Sequence, residues 1–499
     1  MGLTLPSSRE LEKLSELRDE AELDVEALHR PDSAVSEPRR RSSSVKKTCT
    51  TLLGRLIGYP SSDSIRLRST SWLDGVRGVA ALGVFIFHSM GCWIRLVPAW
   101  HADPSVTNLL GFPFVRTIFV SGGPAVSLFF VVSGYVLTHK SLLWLRAGAA
   151  PRVYPAVASS MFRRGFRLYG PVILLTFFEM LGTRVGFAPP LNFSFKPEPT
   201  FWGQVKDWLL DLDHLMNPVH NFYRSMHGFV THPRYEAVIW TIPLEFYGSF
   251  LCYIWLLSFI HVPSHITRMI FTAFLVVICM CSGAWHYFCF ASGMLLADIN
   301  LAQEKNFDAL AVRKTITNKA RALWVTIFLL SFYIGGFPTL DKEAYPWVDT
   351  RPMVGFEFMR RHTPTGLYME DHARFWWSLS GVGILGSISQ LPRLKAVFET
   401  RLCQYLGKVS FSLYLIHEAV IYLFALRFQA FLFQLFGLDP PSLAPHEESL
   451  GYWLLCAFVW YPVLLLPVFF AAAQVERLID APSVRFARWI EKKCLSCIR

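Results

Sequence analysis

Charged residues are scarce in this chain. Asp, Glu, Lys and Arg make up 17% of its 499 residues, whereas an ordinary soluble domain has about 25%. Hydrophobic residues make up 53%, and the mean hydropathy is positive. These values exclude an ordinary soluble globular protein. The basic residues are not gathered on one soluble module but lie between apolar runs, so the net charge of +11 does not predict nucleic-acid binding.

The chain also lacks a cysteine framework for disulfide bonds. None of the ten cysteines falls in the long segments 187–235 and 339–374, so we predict free thiols. For Cys494 and Cys497, in a basic tail, palmitoylation and metal binding are alternatives to an unmodified pair. Because no second ligand pair accompanies them and no His/Glu ligand spacing stands out, we predict no metal site.

Long apolar segments dominate the sequence and set the fold class. Each is near the roughly 20 residues that a helix needs to cross a bilayer, so we predict an all-α, polytopic membrane bundle of about ten transmembrane helices. The run 268–299 is interpreted as two spans with a tight turn near Gly283–His286, or as one long span. The ten segments are 76–95, 124–143, 168–186, 237–260, 268–284, 285–299, 322–338, 375–391, 406–434 and 452–474.

Polar residues outside these segments predict the domains and the topology. We expect a cytosolic, largely disordered tail over residues 1–70, a transmembrane domain over 71–475 and a basic cytosolic tail over 476–499. Loops after the second and sixth spans are basic and the 435–451 loop is acidic, so the positive-inside rule puts both termini in the cytosol. The membrane is an endomembrane or the plasma membrane. The glycosylation sequon at Asn192 falls on the other side, with its occupancy left open.

The stretch 71–90, SWLDGVRGVAALGVFIFHSM, carries three polar side chains into the first apolar segment. A helix turns about 100° per residue, so Arg77 and His88 fall within roughly 20° of one face, and Asp74 falls near it. Arg77 and His88 are then about 16 Å apart along the axis. Ionisable groups inside a membrane mark function by default. The alternative for His88 is a hydrogen bond to a neighbouring helix.

Further polar groups lie in or beside the other apolar segments. In FRRGFRLYGP (162–171), Arg164 and Arg167 are one helical turn apart, and guanidinium groups bind phosphates in a bidentate manner. Positive-inside anchoring is the alternative. In WTIPLEFYGSF (240–250), the predicted roles of Glu245 are orienting His88, binding an acceptor hydroxyl, or pairing with an arginine. Other candidates for a substrate pocket, each with packing as the alternative, are Ser133, Ser412, Tyr414 and His417.

Several motifs together resemble the membrane-bound acyltransferase-3 family, and its fungal members in particular. LDGVRG at residue 73 is followed by a histidine eleven residues after Arg77, and the Arg164/Arg167 pair resembles the R-x-x-R signature of the family. The further matching segments, in chain order, are LFFVVSGYVL (128–137), WTIPLEFYGSF (240–250), WHYFCFASGMLLAD (285–298) and GKVSFSLYLIHEAV (407–420). The resemblance covers about residues 71–475.

The resemblance implies an acyl-CoA-dependent O-acyltransferase. Acetyl-CoA is the predicted co-substrate, and a hydroxyl of a small hydrophobic metabolite or a glycan is the predicted acceptor. Arg164 and Arg167 would hold the coenzyme A phosphates, Arg77 would steady the thioester, and His88 with Glu245 would deprotonate the acceptor hydroxyl. Direct and two-step transfer both stay open. The alternative function is a proton-coupled transporter of a small anion or metabolite, because the same groups suit a proton relay.

Overall fold

Every regular element in the described part of the chain is a helix, which confirms the all-α prediction. The computed structural model describes residues 54, 56–60, 67–93, 109–112, 114–187, 189, 195–219, 232–310, 316–338, 355–368, 372–438 and 450–496. The helices are α1 (Ser71–Met90), α2 (Val115–Phe119), α3 (Gly123–Arg146), α4 (Val153–Arg184), α5 (Phe201–Met216), α6 (Thr241–Phe259), α7 (His265–Cys281), α8 (Trp285–Leu310), α9 (Asn318–Gly335), α10 (Phe356–Arg361), α11 (Ala373–Gln390), α12 (Pro392–Phe398), α13 (Arg401–Val420), α14 (Leu426–Phe436), α15 (Leu450–Leu455), α16 (Tyr461–Val475) and α17 (Ala481–Ser496).

In its described residues, each of the ten predicted apolar segments coincides with helical structure. Within the described part of the chain, five helical stretches are long and apolar enough to cross a membrane by length and composition, namely Ser71–Met90, Gly123–Arg146, Ala237–Phe259, Arg401–Phe436 and Gly451–Ser496. His265–Cys281 is a shorter apolar helix. The count of about ten spans therefore stays a prediction. Most of the N-terminal tail, the Asn192 sequon, Cys497 and residues 439–449 lie outside the described residues.

The backbone of two predicted segments departs from a single regular helix. The run 268–299 forms two helices, α7 and α8, because Gly283 between them adopts a φ of +70°, which residues with a side chain rarely adopt. The long ninth segment stays helical but widens into a π-helical turn over Ile421–Ala425, between α13 and α14. Such turns are frequent at functional sites, and this one directly follows the end of α13.

Two close helix crossings organise the bundle. One joins α1 to α13, which run parallel, and the other joins α3 to α8. A Cβ atom added to Gly78 would lie 2.3 Å from the Gly407 nitrogen, and one added to Gly407 would lie 2.4 Å from the Asp74 carbonyl oxygen. Gly134 and Gly293 have the same relation to the backbones of α8 and α3. This confirms that the small residues of the first segment let another helix approach closely.

Helix α5 and the chain before α6 form a polar cap on α4. Thr200 begins α5 by accepting a hydrogen bond from the Gly203 amide at 3.0 Å, and the Trp208 indole donates to Thr176 Oγ1 of α4 at 3.1 Å. The pKa of the Asp211 carboxyl is raised, mainly by burial, although the Arg234 and Tyr235 amides donate to it. The contacts of Asp211 hold residues 234 and 235 in place, a few residues before α6.

We expect Gly78→Ala to destabilise the protein, because the new methyl group collides with backbone that cannot rotate away. Overpacking of this kind typically removes about 1–3 kcal/mol of stability. The measurement is the thermal unfolding midpoint of the purified protein in detergent. Gly83→Ala in the same helix is the matched control, since its Cβ would meet only the Ala125 Cβ at an ordinary 3.8 Å. Equal midpoints for the two variants would contradict the close crossing.

Candidate active site

The parallel packing of α1 and α13 brings His88 against Glu418. The imidazole Nδ1 of His88 lies 2.5 Å from Oε1 of Glu418, and 22% of the His88 side chain stays exposed while only 4% of the Glu418 side chain does. The carboxylate is therefore enclosed in the bundle with the His88 ring as its close neighbour, and Oε1 makes no hydrogen bond of regular geometry. His88 keeps part of its ring accessible, as a group that must reach a substrate requires.

His417 completes this cluster from the next position on α13. Its Nδ1 lies 2.7 Å from the Tyr414 carbonyl oxygen, and because a carbonyl only accepts, Nδ1 carries the hydrogen. Nε2 then presents a lone pair, and this atom is buried without a hydrogen-bond partner. The ring centroids of His88 and His417 are 5.1 Å apart. We call His88, His417 and Glu418 the histidine cluster.

The histidine cluster has the residue types of a metal site but a different geometry. Its three donor atoms all lie within 4.8 Å of one another. Two ligands of one tetrahedral zinc ion, each about 2.0–2.1 Å from the metal, are separated by about 3.3 Å. The His88–Glu418 contact of 2.5 Å is too short for that arrangement. The geometry favours an imidazole–carboxylate pair, and the absence of a metal stays a prediction.

Glu245 pairs with Arg164 and not with His88. Of its three predicted roles, the structure shows the pairing with an arginine, because Glu245 of α6 forms an ion pair with Arg164 of α4. The Arg164 guanidinium also donates to Ser249 Oγ at 2.9 Å. The carboxylate beside His88 is Glu418, which sequence analysis did not single out. The sequence could have indicated Glu418 through its position inside the ninth apolar segment, directly after His417.

Arg77 lies at the opposite end of the α1–α13 contact from the histidine cluster. Its guanidinium lies 3.4 Å from Oδ1 of Asp74 and donates to Ser410 Oγ at 3.1 Å. Arg167 of α4 is exposed and lies near enough to Arg77, Arg164 and Asp480 for their charges to interact. Arg164 is committed to its buried partners, whereas Arg77 and Arg167 keep accessible surface. We call Asp74, Arg77 and Arg167 the arginine mouth.

The remaining predicted pocket residues lie on the same helices. The Tyr414 hydroxyl shares a hydrogen bond of 2.7 Å with Thr241 Oγ1 and also donates to the Val238 carbonyl, which ties α13 to the start of α6. Ser412 is buried, and its Oγ lacks a hydrogen-bond partner. Ser133 is half-buried on α3. All these assignments of site residues stay predictions.

Comparison with known proteins identifies the class. The profile of the acyltransferase-3 family, described as "Acyltransferase domain", matches residues 70–474. The chain therefore belongs to that family, which confirms the resemblance; it is an acyltransferase and, from its apolar helices, a membrane protein.

Curated relatives of this chain are fungal. It is 28% identical over 458 residues, covering 86% of each chain, to "O-acetyltransferase PaAT-1" of Phomopsis amygdali. It is 25% identical to "Acyltransferase R4" of a Phoma species, covering 83% of this chain and 94% of the relative. It is 24% identical to "Acyltransferase clz18" of Cochliobolus lunatus, with the same coverage. No solved structure matches the chain.

We expect Glu245→Gln to destabilise the fold, because it leaves the buried Arg164 guanidinium without its counter-charge. Breaking a buried pair in this way costs about 3–5 kcal/mol. The measurement is again the unfolding midpoint in detergent. Glu476→Gln is the control, because Glu476 lies 3.9 Å from a half-exposed Lys408 and such pairs contribute about 0–1 kcal/mol. A midpoint for Glu245→Gln equal to that of the control would contradict a structural ion pair.

Proposed function

We propose that this protein is a membrane O-acyltransferase that moves an acetyl group from acetyl-CoA to a hydroxyl of a small hydrophobic metabolite. The contact between His88 and Glu418 is the observation that carries the proposal. A partly accessible imidazole with a buried carboxylate beside one nitrogen is the arrangement that a general base for hydroxyl groups requires. The proposal replaces Glu245 by Glu418 as the partner of His88.

The chemistry follows from the two nitrogens of the His88 ring. With Nδ1 held by Glu418, Nε2 takes the proton of the acceptor hydroxyl while the hydroxyl oxygen attacks the thioester carbonyl. The imidazolium that forms is stabilised by the Glu418 carboxylate. The carbon–sulfur bond then breaks, and the imidazolium returns the proton to the departing thiolate. The products are the ester and free coenzyme A, and the histidine ends as it began.

In this proposal the arginine mouth binds the acyl donor, acetyl-CoA. Its cations lie at the Arg77 end of α1, roughly 16 Å from His88 along the helix axis, and the coenzyme A phosphates would pair with them. Arg167 and Arg77 are the better candidates because they keep accessible surface. Arg164, predicted alongside Arg167, would act by holding Glu245 and α6 in place.

The acyl group and the acceptor are inferred from a relative and from the surroundings of the site. The name "O-acetyltransferase PaAT-1" supports acetyl transfer to oxygen, and the apolar surroundings suit a hydrophobic acceptor. A glycan acceptor and a two-step transfer through the protein remain alternatives. The transporter alternative has no comparable support, and it predicts no release of free thiol from acetyl-CoA.

The proposed topology follows from the basic loops. Both termini would lie in the cytosol, with 71–475 as the transmembrane domain of an endomembrane or plasma-membrane protein. Helices α1 and α13 then run outward from the cytosol, so the arginine mouth faces cytosolic acetyl-CoA. The histidine cluster lies deeper in the bundle, where a hydrophobic acceptor can meet the thioester.

We expect His88→Ala to abolish acetyl transfer, because no other group replaces the general base; such a group typically contributes about 10²–10⁴-fold. Membranes with matched protein levels receive labelled acetyl-CoA, and label is followed into extractable metabolites and glycans by mass spectrometry. His139→Gln is the control, because His139 stacks on Tyr135 away from the cluster. Equal labelling by wild type and His88→Ala would contradict the proposal, and coenzyme A binding checks that the variant is folded.

We expect Arg167→Gln to weaken coenzyme A binding about tenfold, because one charge-assisted contact to phosphate contributes about 1.5–3 kcal/mol. The measurement is equilibrium binding of labelled coenzyme A to the purified protein at two salt concentrations. Arg163→Gln is the matched control, since Arg163 lies 3.4 Å from Glu491. Equal affinities for the two variants would remove Arg167 from the donor site.

A further inference from the structure

Two buried carboxyl groups lie next to the histidine cluster and have no role in the chemistry described so far. Glu236 directly precedes the helical turn Ala237–Trp240 and has no exposed surface. Glu179 lies on α4, and both of its carboxyl oxygens are buried without a hydrogen-bond partner, as is Oε2 of Glu236. The two carboxyl groups are neighbours, and Glu236 is in turn close enough to Glu418 for their charges to interact.

Among the described residues this carboxyl pair has no counter-charge, because no Lys, Arg or His lies within ion-pair distance of Glu179 or Glu236. The ionisable groups whose charges interact with Glu236 are Glu179, Glu418 and Tyr414. Glu418 in turn forms the histidine cluster with His88 and His417. Nε2 of His417 is a further buried polar atom in this region, and it has no hydrogen-bond partner.

Glu236 is held in this position from two sides. Its Oε1 accepts a hydrogen bond from the Val238 amide at 3.3 Å, while the Val238 carbonyl accepts from the Tyr414 hydroxyl. On the other side, Asp211 accepts from the Arg234 amide at 2.9 Å. The carboxyl group therefore cannot swing to solvent without breaking the cap on α4.

Two adjacent carboxylates in a buried, low-dielectric site cannot both ionise, because each desolvated charge is expensive and the two repel. Enzymes meet this constraint with one proton held by two acidic groups. We propose that Glu179 and Glu236 hold at least one proton between them at neutral pH, which leaves Glu418 as the ionised carboxylate that faces His88. The shared proton is inferred from the burial and the proximity of the two carboxyl groups. The role of Glu418 beside His88 rests on the proposed function.

The pair would then tune the general base. By holding a proton, the pair keeps a second negative charge away from the surroundings of Glu418 and His88, so His88 can serve as the neutral base. A histidine that retains its proton cannot accept one from the acceptor. Glu179 and Glu236 would thus be positioning residues that act through Glu418, without contact with the substrate.

The first experiment is infrared absorption of the purified, glutamate-labelled protein in detergent at pH 7. We expect a C=O band of a protonated, buried carboxyl group in the wild type and its loss in the double variant Glu179→Gln/Glu236→Gln. Glu491→Gln, which removes the carboxylate beside Arg163, should leave the band unchanged. A wild type without this band, or a band that persists in the double variant, would overturn the proposal. Neither result depends on acyl transfer.

The second experiment is the pH dependence of acetyl transfer in Glu236→Gln, which keeps the size of the side chain and fixes its neutral form. We expect the rise of kcat with pH, which follows loss of the proton from the general base, to move to lower pH by about one unit, because the variant removes negative charge near Glu418, and we expect Glu236→Asp to restore the wild-type profile. An unshifted profile would refute the tuning of His88 even where the infrared band is present. Absence of acetyl transfer in the wild type as well as in the variants would instead refute the proposed function.

Discussion

The close parallel crossing of α1 and α13 determines where the polar side chains of this membrane bundle meet. Gly78 and Gly407 lack the Cβ atoms that would keep the two backbones apart, so the helices share a long seam. Arg77 meets Ser410 near one end of that seam, and His88 meets Glu418 near the other. A slip of one residue would rotate each side chain by about 100° and separate both pairs, so one backbone contact sets the geometry of both regions.

Two kinds of buried carboxylate can be distinguished among the described residues. Arg164 with Glu245, like Arg146 with Asp298, forms a compact ion pair in which each charge has its partner, and such pairs join helices. The histidine cluster and the neighbouring carboxyl pair instead leave polar atoms without partners. Unsatisfied groups are destabilising in a low-dielectric interior, so those of the histidine cluster and the carboxyl pair are better explained by chemistry than by folding.

Much of the architecture was predictable because membrane helices carry a strong local signal. All ten apolar segments coincide with helices, and the turn at Gly283 agrees with one of the two interpretations of the 268–299 run. The site was predictable only in part. His88 and His417 were singled out from their positions in apolar runs, but Glu245, with orienting His88 as one of its three open roles, was the carboxylate considered for His88, and Glu418 was not. Both Glu245 and Glu418 lie inside apolar segments, and spacing along one helix carries no information about which neighbouring helix it faces.

The sequence by itself determined the class of protein, the helices and the residue types of the site, since composition, hydrophobic length and short motifs are local properties of the chain. Only the tertiary structure decided which charges pair. It joined Arg164 to Glu245 and His88 to Glu418 and left Arg167 exposed. It also brought Glu236 within range of charge interaction with Glu418, from a segment 182 residues away. The physical reason is that pairing depends on the rotation and register of each helix against its neighbours, which contacts such as that of Gly78 with Gly407 set.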